Sequence, residues 1–198
     1  MFVLTVDQVD SRHTATDAVA PILADRDAWR EAGAVLGPDR TAGDEFQAVF
    51  EDAGAALEAA LRLRRDGGWS VGIGVGDVRS PLPDTTGEAT GTAFLAARVA
   101  VEAAKRAPHR LAVVAPDESA ATGVTALIGL LLELRSRRSA EGWEVADLAE
   151  QGLTQAAMAE RLGVTPQAIS LRSRAAGVRL DREAVPALVR DLAALQPA

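Results

Sequence analysis

Every segment of this 198-residue chain that reads as a β-strand lies before residue 115, and everything from Val124 onward reads as helix. That asymmetry restricts the fold more than any single motif. A sheet must close its backbone hydrogen bonds within the first part, while the remainder packs helix on helix. It predicts an α+β domain over residues 1–119 and an all-helical domain over 120–198, hinged at Asp117–Gly123. In the first domain, Phe2–Val6 forms a buried strand closed by Asp7, and 14–34 is helical with a break or kink at Pro21. Val35–Leu36 and Phe46–Phe50 form a strand pair with Gly37-Pro38-Asp39 as the turn between them. Ala53–Arg65 is a helix stopped by Gly67-Gly68. Trp69–Val75 is a strand whose glycines imply close approach of a backbone or a ligand. After a Pro/Gly/Thr-rich loop over Ser80–Thr90, Ala93–Arg106 is helix and Arg110–Val114 a strand. The order βαββαβαβ predicts a ferredoxin-like sandwich, a sheet with helices on one face.

Charge distribution narrows the partners. The formal net charge is −7, and the excess acid lies before residue 120. From Ala120 onward nine acids balance nine arginines, and Arg161–Arg179 holds four arginines with no acid. A locally basic patch on an acidic chain suits a specific DNA contact better than indiscriminate adhesion to phosphate. The absence of cysteine excludes disulfides and thiolate metal sites. His13 and His109 lack companions at ligand spacing, which argues against zinc. Gly72, Gly74 and Gly76 lie within a strand and open no helix, so a dinucleotide fingerprint is not met. The N-terminus lacks a basic region and meets Asp7 early, unlike a signal peptide. The longest apolar stretch, Ala126–Leu132, is short for a membrane span. A cytoplasmic protein with no membrane partner is expected.

The segment Leu153–Ser170 carries the strongest motif. Thr154 caps one helix, Gly163 ends it, and Thr165 caps a second with Pro166 at its first position. Ala159 is small where two helices cross, and Met158, Leu162, Val164 and Ile169 supply the inner face. This is the pattern of a helix-turn-helix over about 154–176. Gln167, Ser170, Leu171 and Arg174 point outward from the second helix, where Gln reads adenine and Arg reads guanine in the major groove. Thr154, Gln155, Arg161, Thr165 and Arg172 are phosphate-contact candidates. Arg172 stands where such helices often bury an apolar side chain, which leaves Leu171 as the alternative occupant of that core place. Leu127, Leu130, Leu131 and Leu134 keep helical spacing, for a dimer seam or for internal packing. Trp143 is expected in the core.

The first domain carries a resemblance. Asp7 at the end of the first strand and Arg40-Thr41-Ala42-Gly43-Asp44-Glu45-Phe46 resemble the metal-carboxylate positions of class III nucleotide cyclases. Ala-Gly-Asp-Glu-Phe also resembles the signature hairpin of GGDEF diguanylate cyclases. Val71–Val78 resembles the next cyclase strand, and Gly91–Arg98 the helix that carries the catalytic asparagine and arginine. The resemblance implies Mg²⁺ held by Asp7 and Asp44 and a nucleotide met by Arg40 and Arg98. Separately, the loop Asp10-Ser11-Arg12 after the first strand either presents Ser11 and Arg12 to a phosphate or is a surface turn. Phe94 occupies the asparagine position, and the substrate-reading acid is missing. The implied domain is therefore a degenerate cyclase with no catalytic residue and no required cofactor. Across the whole chain, Asp7–Arg12, Gly91–Phe94 and Leu153–Ser170 together resemble the SatD family. The expectation is a homodimeric transcription regulator binding double-stranded DNA, whose first domain dimerises or senses a ligand such as a nucleotide. The alternative is an active nucleotidyl cyclase with an accessory helical domain.

Overall fold

A computed structural model describes residues 1–11 and 16–197. Arg12, His13 and the expected helix start at Thr14 lie outside the described residues. The chain is α+β, with a five-stranded mixed sheet and, among the described residues, nine helices. It divides into two compact units, Met1–Gly129 with Leu188–Ala198, and Leu130–Ala187. The dividing points fall inside two helices, α5 (Glu118–Ser136) and α9 (Val178–Ala193). Residues 118–123, expected as hinge, are therefore helical.

The sheet of the first unit has the order β2-β3-β1-β4-β5. Its strands are β1 (Phe2–Gln8), β2 (Ala34–Ala42), β3 (Glu45–Phe50), β4 (Trp69–Val75) and β5 (Leu111–Val114). β1 runs antiparallel to both β3 and β4, β2 antiparallel to β3, and β5 parallel to β4. Gly37-Pro38-Asp39 is not a turn, because β2 continues through it with register shifts, and the reversal occurs at Gly43-Asp44. Gly37 has φ +86, and a Cβ there would press on the Gln47 carbonyl oxygen. The missing N–H of Pro38 is tolerated because β2 is an edge strand. The expected 14–34 helix is two short ones, α1 (Val19–Ala24) and α2 (Arg26–Glu31), and the break comes at Asp25 rather than Pro21.

Alternation along the strands sorts the sheet into two unlike faces. Phe2, Leu4, Val6, Phe46, Phe50, Val71 and Ile73 share one face and are fully buried. Trp29 of α2 meets Phe46 edge-on at 5.5 Å between ring centroids, and Phe46 meets Trp69 at 5.6 Å. α3 (Ala53–Asp66) covers the same face with Leu57 and Leu61. Each such side chain contributes about 1.5–3 kcal/mol on burial.

The other face carries Val3, Thr5, Asp7, Glu45, Gln47, Gly72 and Gly74, and it is covered by α4 (Thr92–Ala104). Helices thus lie on both faces, which corrects the expectation of one. The cause is written in β4. A Cβ on Gly72 would collide with the backbone of Ala100 and Val101, and one on Gly74 with that of Ala93 and Ala97. Glycine in this strand lets helix backbone approach sheet backbone, with Ala93, Ala97 and Ala100 as the small residues opposite. The close approach expected from the glycines is made by a helix.

The second unit is held by a buried charge cluster. Asp181 accepts from Arg135 Nε at 2.8 Å, from Arg135 Nη2 at 2.9 Å and from Arg138 Nη2 at 2.5 Å. The Arg138 side chain is 1% exposed, donates from Nε to the Ala176 carbonyl at 2.9 Å, and lies 4.6 Å over the Trp143 ring. The helices gathered here are α6 (Ala140–Glu150), α7 (Gln155–Leu162) and α8 (Pro166–Ala175), with the ends of α5 and α9. Val145, Leu148, Ala149, Met158, Ala159, Ile169, Ala176 and Val178 form their core.

Two stability outcomes follow from these contacts. Gly74→Ala should lose about 3 kcal/mol through backbone overlap, whereas Gly123→Ala, in an open helical position, should gain about 0.5–1 kcal/mol; urea midpoints compare the two. Burial alone would raise the Asp181 carboxyl, but the bonds and charges of Arg135 and Arg138 outweigh it and hold it below the usual carboxylate value. Its folded value being depressed, the cluster's contribution is complete above the ordinary carboxyl value near 4 and is lost as pH falls through the lower folded one. Asp181→Ala should lose about 3–5 kcal/mol at neutral pH by stranding two buried cations, and it should flatten the acid limb of a stability–pH curve measured by thermal melting.

Candidate nucleic-acid interface

Local chemistry fixes the α7–turn–α8 segment. The Ala157 N–H donates to the Thr154 hydroxyl at 3.2 Å, and Gly163 ends α7 in the left-handed conformation (φ 65, ψ 32). Two residues later the Ala168 N–H donates to Thr165 at 3.2 Å, with Pro166 opening α8. Both caps and the glycine stop lie where the sequence predicts them.

Packing then decides which side of α8 is presented. Ile169 is fully buried and Ala176 nearly so, with Arg172 and Ser173 half-buried on the same side. Opposite them, Gln167, Leu171 and Arg174 are exposed at i, i+4 and i+7, one stripe along the helix. Ser170 is half-buried at the edge of that stripe. Leu171 is 63% exposed, so it does not take the core place offered to it. Arg172 instead turns toward α6, its Nη1 lying 3.8 Å from the Glu144 carboxylate. That ion pair lets a cation occupy the inner side of α8 and draws Arg172 away from the outer stripe.

Of the remaining phosphate candidates, Thr154, Gln155, Arg161 and Thr165 are all exposed. Residues 151–180 contain four arginines and one acid, Glu160. Beside the stripe is a concavity of about 580 Å³, rimmed by Gln155, Ser170, Arg174, Arg179 and Arg182 over Leu153 and Met158. Arg179 was read only as part of the basic Arg161–Arg179 stretch, and Arg182 carries no motif that marks it in the sequence. Arg179 donates to Glu183 at 3.0 Å, an exposed pair of little energetic weight.

The chain matches no family model, no curated protein and no solved structure.

The residues expected to meet a nucleotide are placed differently. Asp7 is half-buried and paired with Lys105 of α4 at 3.0 Å. Burial works to lower the Lys105 ammonium, but its bonds to Glu102 and Asp7 carry it above the ordinary lysine value. Asp44, in the hairpin turn, accepts from the Ser11 hydroxyl. The residue directly across from Asp7 is Glu45, not Asp44. As placed, the two carboxylates engage separate partners, Lys105 and Ser11. Arg98 donates to Glu45 at 2.9 Å, and Arg40 donates to Asp17 at 2.7 and 2.9 Å. The Arg40 hydrogen bond holds the Asp17 carboxyl below its ordinary value. Arg12 lies outside the described residues. Among the described residues no cluster of three or more His, Asp or Glu has metal-binding form, and no helix is long and apolar enough to cross a membrane.

The second cap has a measurable weight. Thr165→Ala should cost about 1 kcal/mol of stability, and Thr165→Ser should restore most of it; thermal melting of the two variants distinguishes cap loss from a packing defect.

Proposed function

We propose that this protein is a homodimeric DNA-binding transcription regulator. In this reading residues 154–176 are a helix-turn-helix, and the first unit is a degenerate, ferredoxin-like relative of nucleotide cyclases. The observation that carries the reading is the exposed stripe of Gln167, Leu171 and Arg174 on a doubly capped helix. Its polar members suit base edges, and Leu171 suits a thymine methyl. Arg161, Gln155 and the Thr154 and Thr165 termini flank it as phosphate contacts. A dimer would present two such helices to successive major grooves about 34 Å apart.

The first unit supports a non-catalytic role in this reading. Its antiparallel β2-β3-β1-β4 order supports the ferredoxin-like reading, with α4 covering the second face as an addition. The cations that a triphosphate would need are engaged by the chain's own carboxylates, Arg98 by Glu45, Arg40 by Asp17 and Lys105 by Asp7. Recruiting them to a nucleotide means breaking those pairs first. The unit would then serve dimerisation or ligand sensing.

Selection of bound genomic fragments by the purified protein, followed by polarisation titration, tests the reading. A preferred sequence retained at moderate salt is expected; uniform binding to all fragments, or none, overturns it. Arg174→Ala should relax preference at one base position by about 1–3 kcal/mol. Arg161→Ala should weaken all sequences alike and reduce the slope of log K against log salt by about 0.9.

A further inference from the structure

The first unit holds a second concavity, on the face of the sheet opposite α4. It has a volume of about 310 Å³ and lies among α1, α2 and α3, with Trp29 and Trp69 in its wall. Small-molecule sites begin near this size, roughly 300 Å³. Its apolar lining comes from Ile22, Leu63 and the two indoles, while Asp25, Glu58, Asp66 and Arg62 supply the charge. Three carboxylates against one guanidinium leave the site with a formal charge of −2 (1 − 3 = −2). All four charged side chains belong to exposed residues. An indole wall beneath an acidic rim is the setting in which an organic cation gains from both cation–π attraction and Coulomb attraction. A nucleotide would suffer the reverse, its phosphates meeting that rim.

We propose that this pocket binds a small hydrophobic cation, an aromatic or alkyl ammonium. The charged head sits among Asp25, Glu58 and Asp66, and the apolar body lies against Trp29 and Trp69. The site lies on the sheet face opposite the Asp7 side chain, although Trp69 pairs with Gln8 at the same end of the sheet, and it does not depend on the DNA-binding reading. Ordinary metal cations are disfavoured because the wall is mainly apolar and offers no compact oxygen cage.

The test is calorimetric titration of the full chain, without DNA, using benzyltrimethylammonium, benzyl alcohol and benzenesulfonate, with indole fluorescence followed in parallel. Saturable binding of the cation at least tenfold tighter than either analogue is expected, with a change in Trp emission. The Glu58→Gln/Asp66→Asn variant, altered only at exposed acids, should lose most of that preference while keeping its melting temperature. Trp29→Phe, which keeps an aromatic core partner for Phe46, should weaken the cation severalfold. Equal affinity for all three probes, absence of binding, or an unchanged preference in the double variant each overturns the proposal. DNA affinity measured with and without the cation is a separate readout, and its failure leaves the binding result intact.

Discussion

A single buried carboxylate organises the helical unit. Asp181 takes hydrogen bonds from Arg135 and Arg138, one residue of α5 and one just beyond it, and Arg138 continues to the carbonyl that ends α8. Two chain segments far apart in sequence, 135–138 and 176–181, are thereby fixed at one point. Without Asp181, two cations would face one another in a poorly solvated place, which is costly. The Trp143 ring under Arg138 supplies the remaining partner surface. The orientation of α8, and with it the direction of the Gln167–Arg174 stripe, rests on this cluster and on Ile169.

The first unit is governed by a different constraint, the side-chain-free surface of β4. Gly72 and Gly74 admit α4 to the sheet so closely that any side chain there would displace helix backbone. This contact brings Arg98 and Lys105 over the polar ends of β1 and β3, where Glu45 and Asp7 are available. The helix that the cyclase resemblance would make catalytic is thus the helix that neutralises the would-be metal carboxylate. The same sheet keeps its aromatic face, Phe46 between Trp29 and Trp69, for the opposite side. The acidic, indole-walled pocket lies on that side.

Under the proposed function these arrangements divide the work of a regulator between the units. One unit carries the exposed Gln167, Leu171 and Arg174 stripe, with few acids near it in sequence. The other carries a pocket with an indole wall and acidic lining residues.

Several local features were legible in the sequence because their causes are local. The caps at Thr154 and Thr165, the left-handed Gly163, the proline start of α8 and the glycine stop of α3 depend on residues within four positions of one another. The strands β1 and β4 were likewise readable, as was the outward direction of Gln167 and Arg174, whereas Ser170 is half-buried. Leu171 and Arg172 were ambiguous, since their roles depend on Glu144, a residue of another helix. The continuation of β2 through Gly37-Pro38 was hidden because turn chemistry and a bulged edge strand use the same residues. The Asp181 cluster left no signal, since arginines near the end of a helix look the same whether solvated or buried. The sequence by itself determined the capped boundaries of α7 and α8 and the glycine stop of α3, because capping is short-range. Only the tertiary structure decided which charges meet, placing Lys105 on Asp7, Arg98 on Glu45 and two arginines on Asp181. Ion pairing depends on distance in space, and distance in the chain does not encode it.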